Sequence, residues 1–278
     1  MPVRVVTDSS CDLPDEIVER LGIEIVPLTI RFGSEELVDR KELSAAEFWR
    51  RLETAPKLPE TAAPSAGAFE TAFRGLAADG ADGIVCINLS SKLSATMQSA
   101  QVAATSMGDT CPVVVVDSLT ASMGVGNLVV SAARHAAAGG TLEDVVRETT
   151  SQRDRTKLFG ALDTLEYLRK GGRIGAAQAM LGSMLSIKPV IELRDGAVEE
   201  AGKVRTRSKS LRTLADFVGR QPVEHLAVLH GNAPDLDELL DLVEAYVPRD
   251  EIIVGIVGPV IGTHTGPRVI GVTFQTTT

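Results

Sequence analysis

Residues 112–117 read Pro-Val-Val-Val-Val-Asp and form the clearest strand signal in the chain. Four consecutive valines favour an extended backbone, because β-branched side chains pack well on a pleated surface. They also leave no polar side chain for a solvent-facing side, which is typical of a strand buried on both faces of a parallel sheet. The run therefore predicts an α/β fold in which helices cover both sides of a mostly parallel sheet.

The regions before and after this strand continue the alternation of strand and helix. Further strands are predicted at residues 3–6, 23–30 and 83–89. Helices are predicted at residues 15–21, from Ser44, near Ser65, from Ser94, and from the end of the valine strand to Gly139-Gly140. Ser44 and Glu47 match a capping box, in which the hydroxyl and the carboxylate each bind a free backbone N–H of the first turn. The first half of the chain is therefore interpreted as a parallel α/β unit.

The pattern changes after about residue 153. Asp195-Gly196 lies between two extended runs, which is a strong signal for a type I′ β-hairpin. Around it the sequence predicts a short helix at 165–172, helices at 208–219 and 235–247, and strands at 157–162, 224–230, 251–257 and 268–274. Hairpins mixed with helices indicate an α+β domain with a mixed sheet. Because the chain exceeds the usual ~100–200 residues of one domain, we predict an α/β domain over residues 1–155 and an α+β domain over residues 156–278.

Composition narrows the classes of function. The net charge is −9 and the chain has only seven Phe, two Tyr and one Trp, whereas single-stranded nucleic acids bind to basic grooves with aromatic rings. The sequence therefore predicts no nucleic-acid partner. No apolar run approaches the ~20 residues that span a bilayer, and the first residues lack the features of a signal peptide. Three cysteines without a CxxC pair predict reduced thiols in the cytoplasm, and no His, Cys or Asp spacing predicts a metal site.

Hydroxyl side chains are concentrated where the predicted strands end. These segments are residues 7–10, 88–96 and 117–122. Thr61 and Ser65, in the loop before the predicted helix near Ser65, carry two further hydroxyls. Ligands of open α/β sheets bind beyond the carboxyl ends of the strands. Ser94 lies where a helix is predicted to begin, so its hydroxyl and the free N–H groups would suit an anion. The alternative is that Ser94 only caps the helix, and that Asp8 and Ser9 only stabilise a turn.

Residues 262–267 read Gly-Thr-His-Thr-Gly-Pro between two predicted strands. His264 is expected in a glycine-flanked loop whose backbone can approach a ligand closely, or else as a solvated surface residue. Ser94 and His264 could form a nucleophile and its base. The chain has no GxxxxGK[ST] phosphate loop and no GxSxG nucleophile elbow. These absences favour a protein that holds an anion over one that transforms it.

A basic cluster interrupts this acidic sequence. Its members are Lys203, Arg205, Arg207, Lys209 and Arg212. The first four alternate at a period of two, which predicts one exposed face of a strand. Such a face is either solvated or docks an acidic partner or a phosphate.

Taken in order along the chain, several short motifs resemble the DegV family. They are TDSSCDLP (7–14), TAAPS (61–65), LSSKLSATMQSA (89–100), VDS (116–118), LEYLRKGGRIG (165–175), KPV (188–190), KVRT (203–206) and GTHTGP (262–267). Each motif is weak alone, but the ordered combination is specific and spans almost the whole chain. The resemblance implies a two-domain α/β protein that binds a long-chain fatty acid and uses no cofactor. Characterised members are the fatty-acid-binding subunit of a bacterial fatty acid kinase, which implies a carrier that presents the carboxylate to a separate ATP-binding subunit.

The resemblance also implies which residues form the site. The fatty-acid-binding set would be Thr61, Ser94, Ala95, Arg173, His264 and Thr265. Within it, the hydroxyls of Thr61 and Ser94 would hold the carboxylate, and Arg173 and His264 would support it between the domains. Arg205 matches a basic position associated with the surface that meets the kinase subunit. The alternative is a serine-dependent acyl hydrolase or transferase that uses Ser94 and His264.

Three departures from the family pattern fall in the same motifs. Ala95 and Met97 replace a usual glycine and tyrosine, Ala62-Ala63 replaces a usual Ser-Gln pair, and Arg268 replaces a usual glycine after Gly266-Pro267. We expect these differences to alter the preferred acyl chain more than acyl binding itself.

Overall fold

The computed structural model describes residues 3–277, without the side chains of residues 182–186. Its strands are, in chain order, β1 Val3–Asp8, β2 Glu24–Val26, β3 Thr29–Phe32, β4 Glu35–Val38, β5 Glu60–Ala62, β6 Gly83–Asn88, β7 Val113–Asp117, β8 Thr156–Ala161, β9 Lys188–Arg194, β10 Ala197–Val204, β11 Val223–His230, β12 Ile253–Ile256 and β13 Ile270–Thr276. Its α-helices are α1 Asp15–Leu21, α2 Ala45–Thr54, α3 Ala66–Ala78, α4 Thr96–Met107, α5 Met123–Ala137, α6 Leu142–Arg155, α7 Glu166–Lys170, α8 Arg207–Val218, α9 Leu236–Val243 and α10 Pro259–Thr265. Short 3-10 helices cover Ser9–Cys11, Gly175–Ser186 and Arg249–Glu251.

The first sheet is parallel, as predicted, with the strand order β2-β1-β6-β7. Every residue of β6 is buried, because α3 and α4 pack on one face and α5 on the other. The prediction that the valine strand is buried on both faces is wrong. Only Val116 of β7 is buried, because β7 lies at the edge of the sheet. The valine run therefore indicated the parallel sheet correctly, but the interior strands of this sheet are β1 and β6.

The predicted single strand at residues 23–30 is two strands in different sheets. Pro27 and Leu28 separate β2 from β3. Pro27 has no N–H for the ladder, and the Leu28 N–H donates instead to Ser9 Oγ at 3.1 Å. β3 then pairs with β4 and β5 in a small antiparallel sheet that no sequence pattern predicted. This sheet matters for the site because Thr61 lies on β5.

The third sheet has the strand order β10-β9-β8-β13-β11-β12 and is mixed, as predicted. Its pairs are antiparallel except β11 with β12. Asp195 and Gly196 have φ angles of 50° and 81°, so the predicted hairpin between β9 and β10 is confirmed. A parallel sheet followed by a mixed sheet confirms the predicted α/β fold class.

The mixed sheet separates two hydrophobic cores. Phe159 on β8 packs towards α8 and α9, whereas its neighbour Leu158 points to the core shared with α5 and the first sheet. This alternation follows from the two-residue period of a strand. The predicted boundary at residue 155 falls between the end of α6 and the start of β8. The division into domains 1–155 and 156–278 stays a prediction.

The capping box predicted at Ser44 is only half formed. Ser44 Oγ accepts the Glu47 N–H at 3.2 Å, but the Glu47 carboxylate accepts hydrogen bonds from Arg50 and Arg51. These two guanidiniums lie within one turn and are stronger partners for a carboxylate than the backbone N–H of the cap residue. A complete capping box occurs instead at the start of α6, where Thr141 pairs with Asp144.

Candidate functional site

An apolar cavity lies between the first half of the chain and the mixed sheet. Its volume is about 200 Å³, which is more than ten times the ~10–15 Å³ that one water molecule needs. Its apolar side chains come from both halves of the chain and include Leu89, Leu93, Ala121, Leu158, Ile191 and Leu229. Such a lining suits an extended apolar ligand.

The structure brings all the predicted fatty-acid-binding residues to this cavity, whereas Arg205 lies outside it. Its lining includes Thr61, Ser94, Ala95, Arg173, His264 and Thr265. Ser122, from the hydroxyl-rich segment 117–122, lines the cavity as well. Their role in binding stays a prediction, but the cavity combines an apolar wall with a small set of polar groups.

His264 lies on helix α10 and not in the loop that was predicted. Gly266, with φ of 76°, ends this helix in a conformation that favours glycine. Gly262 lacks a side chain where the rings of Phe48 and Trp49 on α2 pack against the helix. Glycines weaken the helix signal in a sequence, so the helix here depends on tertiary packing.

The imidazole of His264 contacts Thr61 inside the cavity. His264 Nε2 and Thr61 Oγ1 are 3.1 Å apart, and Nδ1 is buried without a hydrogen-bond partner among the described residues. Burial, with a smaller effect of the Arg173 charge, lowers the pKa of His264 to about 4. The ring is therefore neutral at pH 7.

Gly171 fixes the position of this ring, although the sequence indicated it only as a helix stop. A Cβ atom at Gly171 would overlap the Nδ1 atom of His264. The close approach brings the end of α7 against α10, so glycine is required there for steric reasons. The only signal in the sequence was the Gly171-Gly172 pair. The tertiary structure shows that the side chain packed against Gly171 is that of His264.

The lowered pKa of His264 predicts a stability change with pH. Its folded pKa of about 4 lies below the ordinary value of 6.5, so the folded state binds fewer protons than the unfolded state between these values. Its contribution to stability is fully present above about pH 6.5 and is lost as the pH falls towards 4. We expect NMR titration of the ring to show a midpoint near pH 4. Relative to wild type, His264→Gln should flatten the decline in unfolding free energy between pH 6.5 and 4, and equal slopes would contradict the assignment.

Ser94 lies just before α4. It stabilises the start of the helix, which was one of the two alternative roles expected for it, and it also lines the cavity. The helix begins at Thr96, with Ala95 as the cap residue, so Ser94 is not at the predicted first position. Its Oγ nevertheless accepts the Thr96 N–H at 3.3 Å and lies 2.9 Å from Thr96 Oγ1. One hydroxyl therefore supports the first turn of α4 and also lines the cavity.

Two hydrogen bonds from the second half of the chain hold the loop that carries Ser94. Ser90 Oγ donates to the carbonyl oxygen of Gly196 at the tip of the β9–β10 hairpin, at 2.7 Å. Arg173 Nε donates to the carbonyl oxygen of Leu93 at 3.0 Å. The Ser94 loop is thus positioned by groups about 80 and 106 residues away in sequence, which explains why sequence spacing alone does not predict its contacts.

Asp8, at the end of β1, stabilises the turn that follows it by capping Ser9–Cys11, as one alternative expected, and it is also a buried centre of hydrogen bonding. Its carboxylate accepts from Ser10 N at 3.0 Å, Leu89 N at 2.9 Å and Asn88 Nδ2 at 3.1 Å, and from the Ser10 hydroxyl at 2.5 Å. Burial raises the pKa of this carboxyl group despite these donors. Asp8 therefore joins the ends of β1 and β6, from which the Ser94 loop departs.

The predicted strand face of basic residues is not formed. β10 ends at Val204, Thr206 caps α8, and the helix begins at Arg207. The Arg207 guanidinium turns to the Asp235 carboxylate, with Nε 2.6 Å from Oδ2. Arg205 is exposed in the short connection between β10 and α8. A helix-capping threonine breaks the two-residue alternation, which is why the strand pattern failed here.

Ser94 and His264 do not form a nucleophile–base pair with each other in the structure. The Ser94 hydroxyl is bonded to Thr96, and His264 Nε2 is bonded to Thr61. Across residues 3–277, apart from the side chains of 182–186, no group of His, Cys, Asp and Glu is positioned to hold a metal ion. None of the helices in the described part of the chain is long and apolar enough to cross a membrane.

Comparison with known proteins gives the family. The profile described as "Uncharacterised protein, DegV family" matches residues 2–277. A DegV domain-containing protein of Streptomyces coelicolor is 41% identical over 276 residues, which cover 97% of each chain. A fatty-acid-binding DegV family protein from Thermus thermophilus has a solved structure with a TM-score of 0.91 and 33% identity, covering 99% of this chain and 100% of that one. A stearic-acid-binding protein from Eubacterium ventriosum gives a TM-score of 0.88 and 26% identity, covering 99% of this chain and 98% of that one. The chain belongs to the DegV family.

Proposed function

We propose that this protein binds a long-chain fatty acid in its cavity and presents the carboxylate to a separate ATP-dependent kinase subunit. The observation that supports the proposal is one cavity that combines a long apolar wall with the Thr61, Ser94, Arg173 and His264 side chains. Each buried methylene contributes ~0.8 kcal/mol, and each hydrogen bond to a charged group about 1.5–3 kcal/mol. The apolar wall would therefore supply most of the affinity, and the polar groups would fix the orientation of the acid.

The polar groups match a carboxylate rather than a neutral lipid. The Thr61 and Ser94 hydroxyls can donate to carboxylate oxygens, and the positive charge of Arg173 lies near enough to His264 to depress its pKa. A neutral imidazole can donate from one nitrogen without adding a second cation. The arrangement would thus provide one positive charge and several donors for one negative charge.

Phosphorylation would require a partner, because the chain carries no phosphate-binding loop of the GxxxxGK[ST] type. Arg205 is exposed. Lys203 and Arg207 of the basic cluster form ion pairs, whereas within residues 3–277 Arg205, Lys209 and Arg212 form none. Exposed cations attract an acidic surface and accelerate the encounter of two proteins. We therefore propose this connection between β10 and α8 as the surface for the kinase subunit. Because ATP is supplied in the cytoplasm, a protein that cooperates with an ATP-dependent kinase subunit would be located there.

The alternative function is a serine-dependent acyl hydrolase or transferase using Ser94 and His264. It would need the Ser94 hydroxyl to give its proton to the His264 ring. Both groups are bonded to threonines instead, and Nδ1 of His264 has no partner in the described chain to orient the ring as a base. These contacts favour a carrier without catalytic residues of its own.

Native mass spectrometry of the purified protein would test the proposed function. A carrier should release a C14–C18 fatty acid when it is denatured, and the delipidated protein should bind an added acid without covalent change. A hydrolase or transferase would instead give an acyl adduct on Ser94 after brief exposure to an acyl ester. Delipidated protein that binds no C14–C18 acid would contradict the proposal.

The head-group assignment is tested by Ser94→Ala. Loss of one hydrogen bond to a charged carboxylate should weaken fatty acid binding by about 1.5–3 kcal/mol, or roughly tenfold to a hundredfold. Isothermal titration of delipidated protein with stearic acid measures this change. Ser65→Ala is the matched control, because Ser65 Oγ caps α3 by accepting the Ala68 N–H at 3.1 Å but does not line the cavity. If Ser94→Ala lowers thermal stability and leaves affinity unchanged, Ser94 only supports the helix.

The docking assignment is tested by Arg205→Ala. The substitution should leave fatty acid affinity unchanged and slow acyl-phosphate formation severalfold with a cognate kinase at low salt, because an exposed charge acts mainly on association. Added salt should reduce the wild-type rate more than the variant rate. Arg134→Ala, which removes an exposed arginine from α5, should behave like wild type. Equal rates for all three proteins at low salt would show that Arg205 is an ordinary solvated residue.

A further inference from the structure

Two glycines face each other on the side of the mixed sheet that borders the cavity. Gly160 on β8 is paired directly with Gly271 on β13, and both line the cavity. On the same side as Gly160, the residues two positions away are Leu158 in β8 and Leu162 just after its end, and both also line the cavity. Across the strands the row continues to Ile191 on β9, which pairs with Gly160. The sheet therefore has a gap without side chains between large apolar residues.

The two glycines differ in whether the protein itself requires them. A Cβ atom at Gly271 would lie 2.5 Å from the carbonyl oxygen of Phe159, so backbone packing excludes any side chain there. A Cβ atom at Gly160 would meet nothing closer than Ile191 Cγ1 at 3.6 Å, which is ordinary van der Waals contact. Gly160 also has none of the positive φ angles that favour glycine. The packing of the protein therefore gives no reason for glycine at position 160.

Glycine within a strand weakens the strand, and it often marks a point where a ligand approaches the backbone closely. β8 is an interior strand of its sheet, yet Gly160 keeps partial exposure because the cavity lies above it. A side chain at position 160 would project into the space that the cavity leaves open. The space above Gly160 is consequently available to the ligand.

The position of Gly160 along the cavity follows from the strand direction. β8 runs from Leu158 through Gly160 towards Leu162 and then to α7, whose end contacts His264 at Gly171. Successive residues on one face of a strand are about 6.6 Å apart. Along the cavity, Gly160 therefore lies farther from His264 than Leu162 does, and Leu158 lies farther still.

We propose that Gly160 determines the length of acyl chain that the protein accepts, by leaving open the passage from the polar end of the cavity to the region of Leu158. This inference rests on the proposed fatty acid binding. An acid with a short chain ends before this passage, whereas a long chain crosses the side-chain-free surface formed by Gly160 and Gly271. A side chain at position 160 would oppose only the long chains, because it lies away from the carboxylate groups.

The test measures the affinities of delipidated wild type, Gly160→Ala and Gly160→Val for decanoic and stearic acid. Forcing a ligand against an added valine should weaken stearic acid binding by about tenfold to a hundredfold, while decanoic acid binding changes by less than about threefold. Gly160→Ala should give a smaller loss in the same direction. Its Cβ atom fits without overlap, so this variant keeps the test valid if the valine variant does not fold.

Gly202→Ala is the matched control. Gly202 lies in β10 of the same sheet, a Cβ atom there would meet only Val190 Cβ at 3.9 Å, and it does not line the cavity. Its ratio of stearic to decanoic acid affinity should equal that of wild type. An unchanged ratio in both Gly160 variants, with wild type binding stearic acid, would overturn this inference and leave the proposed function intact. Wild type that binds neither acid would overturn both.

Discussion

Replacing Asp8 with alanine is expected to lower the free energy of unfolding by about 3–5 kcal/mol, because four buried donors lose their acceptor. The donors are the backbone N–H groups of Ser10 and Leu89, the Ser10 hydroxyl and the side-chain amide of Asn88. Each unsatisfied buried donor costs about 1–3 kcal/mol. Part of this sum is offset, because the variant no longer has to bury a carboxyl group. The loss is large because Asp8 joins two strands at the point where the hydroxyl-rich loops begin.

Urea denaturation measures this effect as a lower urea concentration at the midpoint of unfolding. An unchanged dependence of the unfolding free energy on urea concentration would show that unfolding exposes as much surface as in wild type. Asp109→Ala is the control, because Asp109 is exposed after α4. An exposed substitution of this kind should change stability by no more than about 0.5 kcal/mol. Equal midpoints for Asp8→Ala and Asp109→Ala would mean that the Asp8 hydrogen bonds contribute little to stability.

Removing the fatty acid that we propose as the ligand is expected to lower the melting temperature strongly. A ligand at a thousand times its dissociation constant stabilises the folded state by about 4.1 kcal/mol, which corresponds to roughly 8–16 °C for a chain of this size. The apolar wall explains the size of the effect, since the empty cavity leaves Leu158, Ile191 and Leu229 without contacts on one side. Differential scanning calorimetry of the purified and delipidated protein measures the change.

Added stearic acid should restore the melting temperature of the delipidated protein. The methyl ester of stearic acid is the control for the head group: it keeps the acyl chain but lacks the charge that Arg173 and the hydroxyls would bind. It should restore less of the stability than the acid does. Equal recovery with both ligands would show that the cavity recognises the chain alone, and no recovery with either would contradict fatty acid binding.

Most local elements could be predicted from the sequence. The valine strand, the strand at Gly83 and the Asp195-Gly196 hairpin each depend on neighbouring residues, and all three are present. The errors occurred where distant contacts outweigh local preference. The strand expected at 23–30 divides because Leu28 bonds to Ser9, and the loop expected at 262–267 is mostly helical because α2 packs on Gly262.

The candidate site divides in the same way. The resemblance carried by the ordered motifs predicted Thr61, Ser94, Arg173 and His264 as site residues, and all four line one cavity. Their contacts could not be predicted, since Thr61 and His264 meet across 203 residues of sequence. Nor did any pattern indicate that Gly171 makes room for the ring of His264, or that Gly160 is not required by the protein's own packing.

The sequence by itself determined the fold class, the hairpin and the chemical types of the candidate site residues. These depend on strand and helix periodicity, on turn residues that accept positive φ angles, and on motifs a few residues long. Only the tertiary structure decided which strands are interior, that the His264 ring is largely shielded from water and neutral, and which residues surround the cavity. Those properties arise from close packing between segments far apart in the chain, because burial changes a pKa and a cavity exists only where several elements meet.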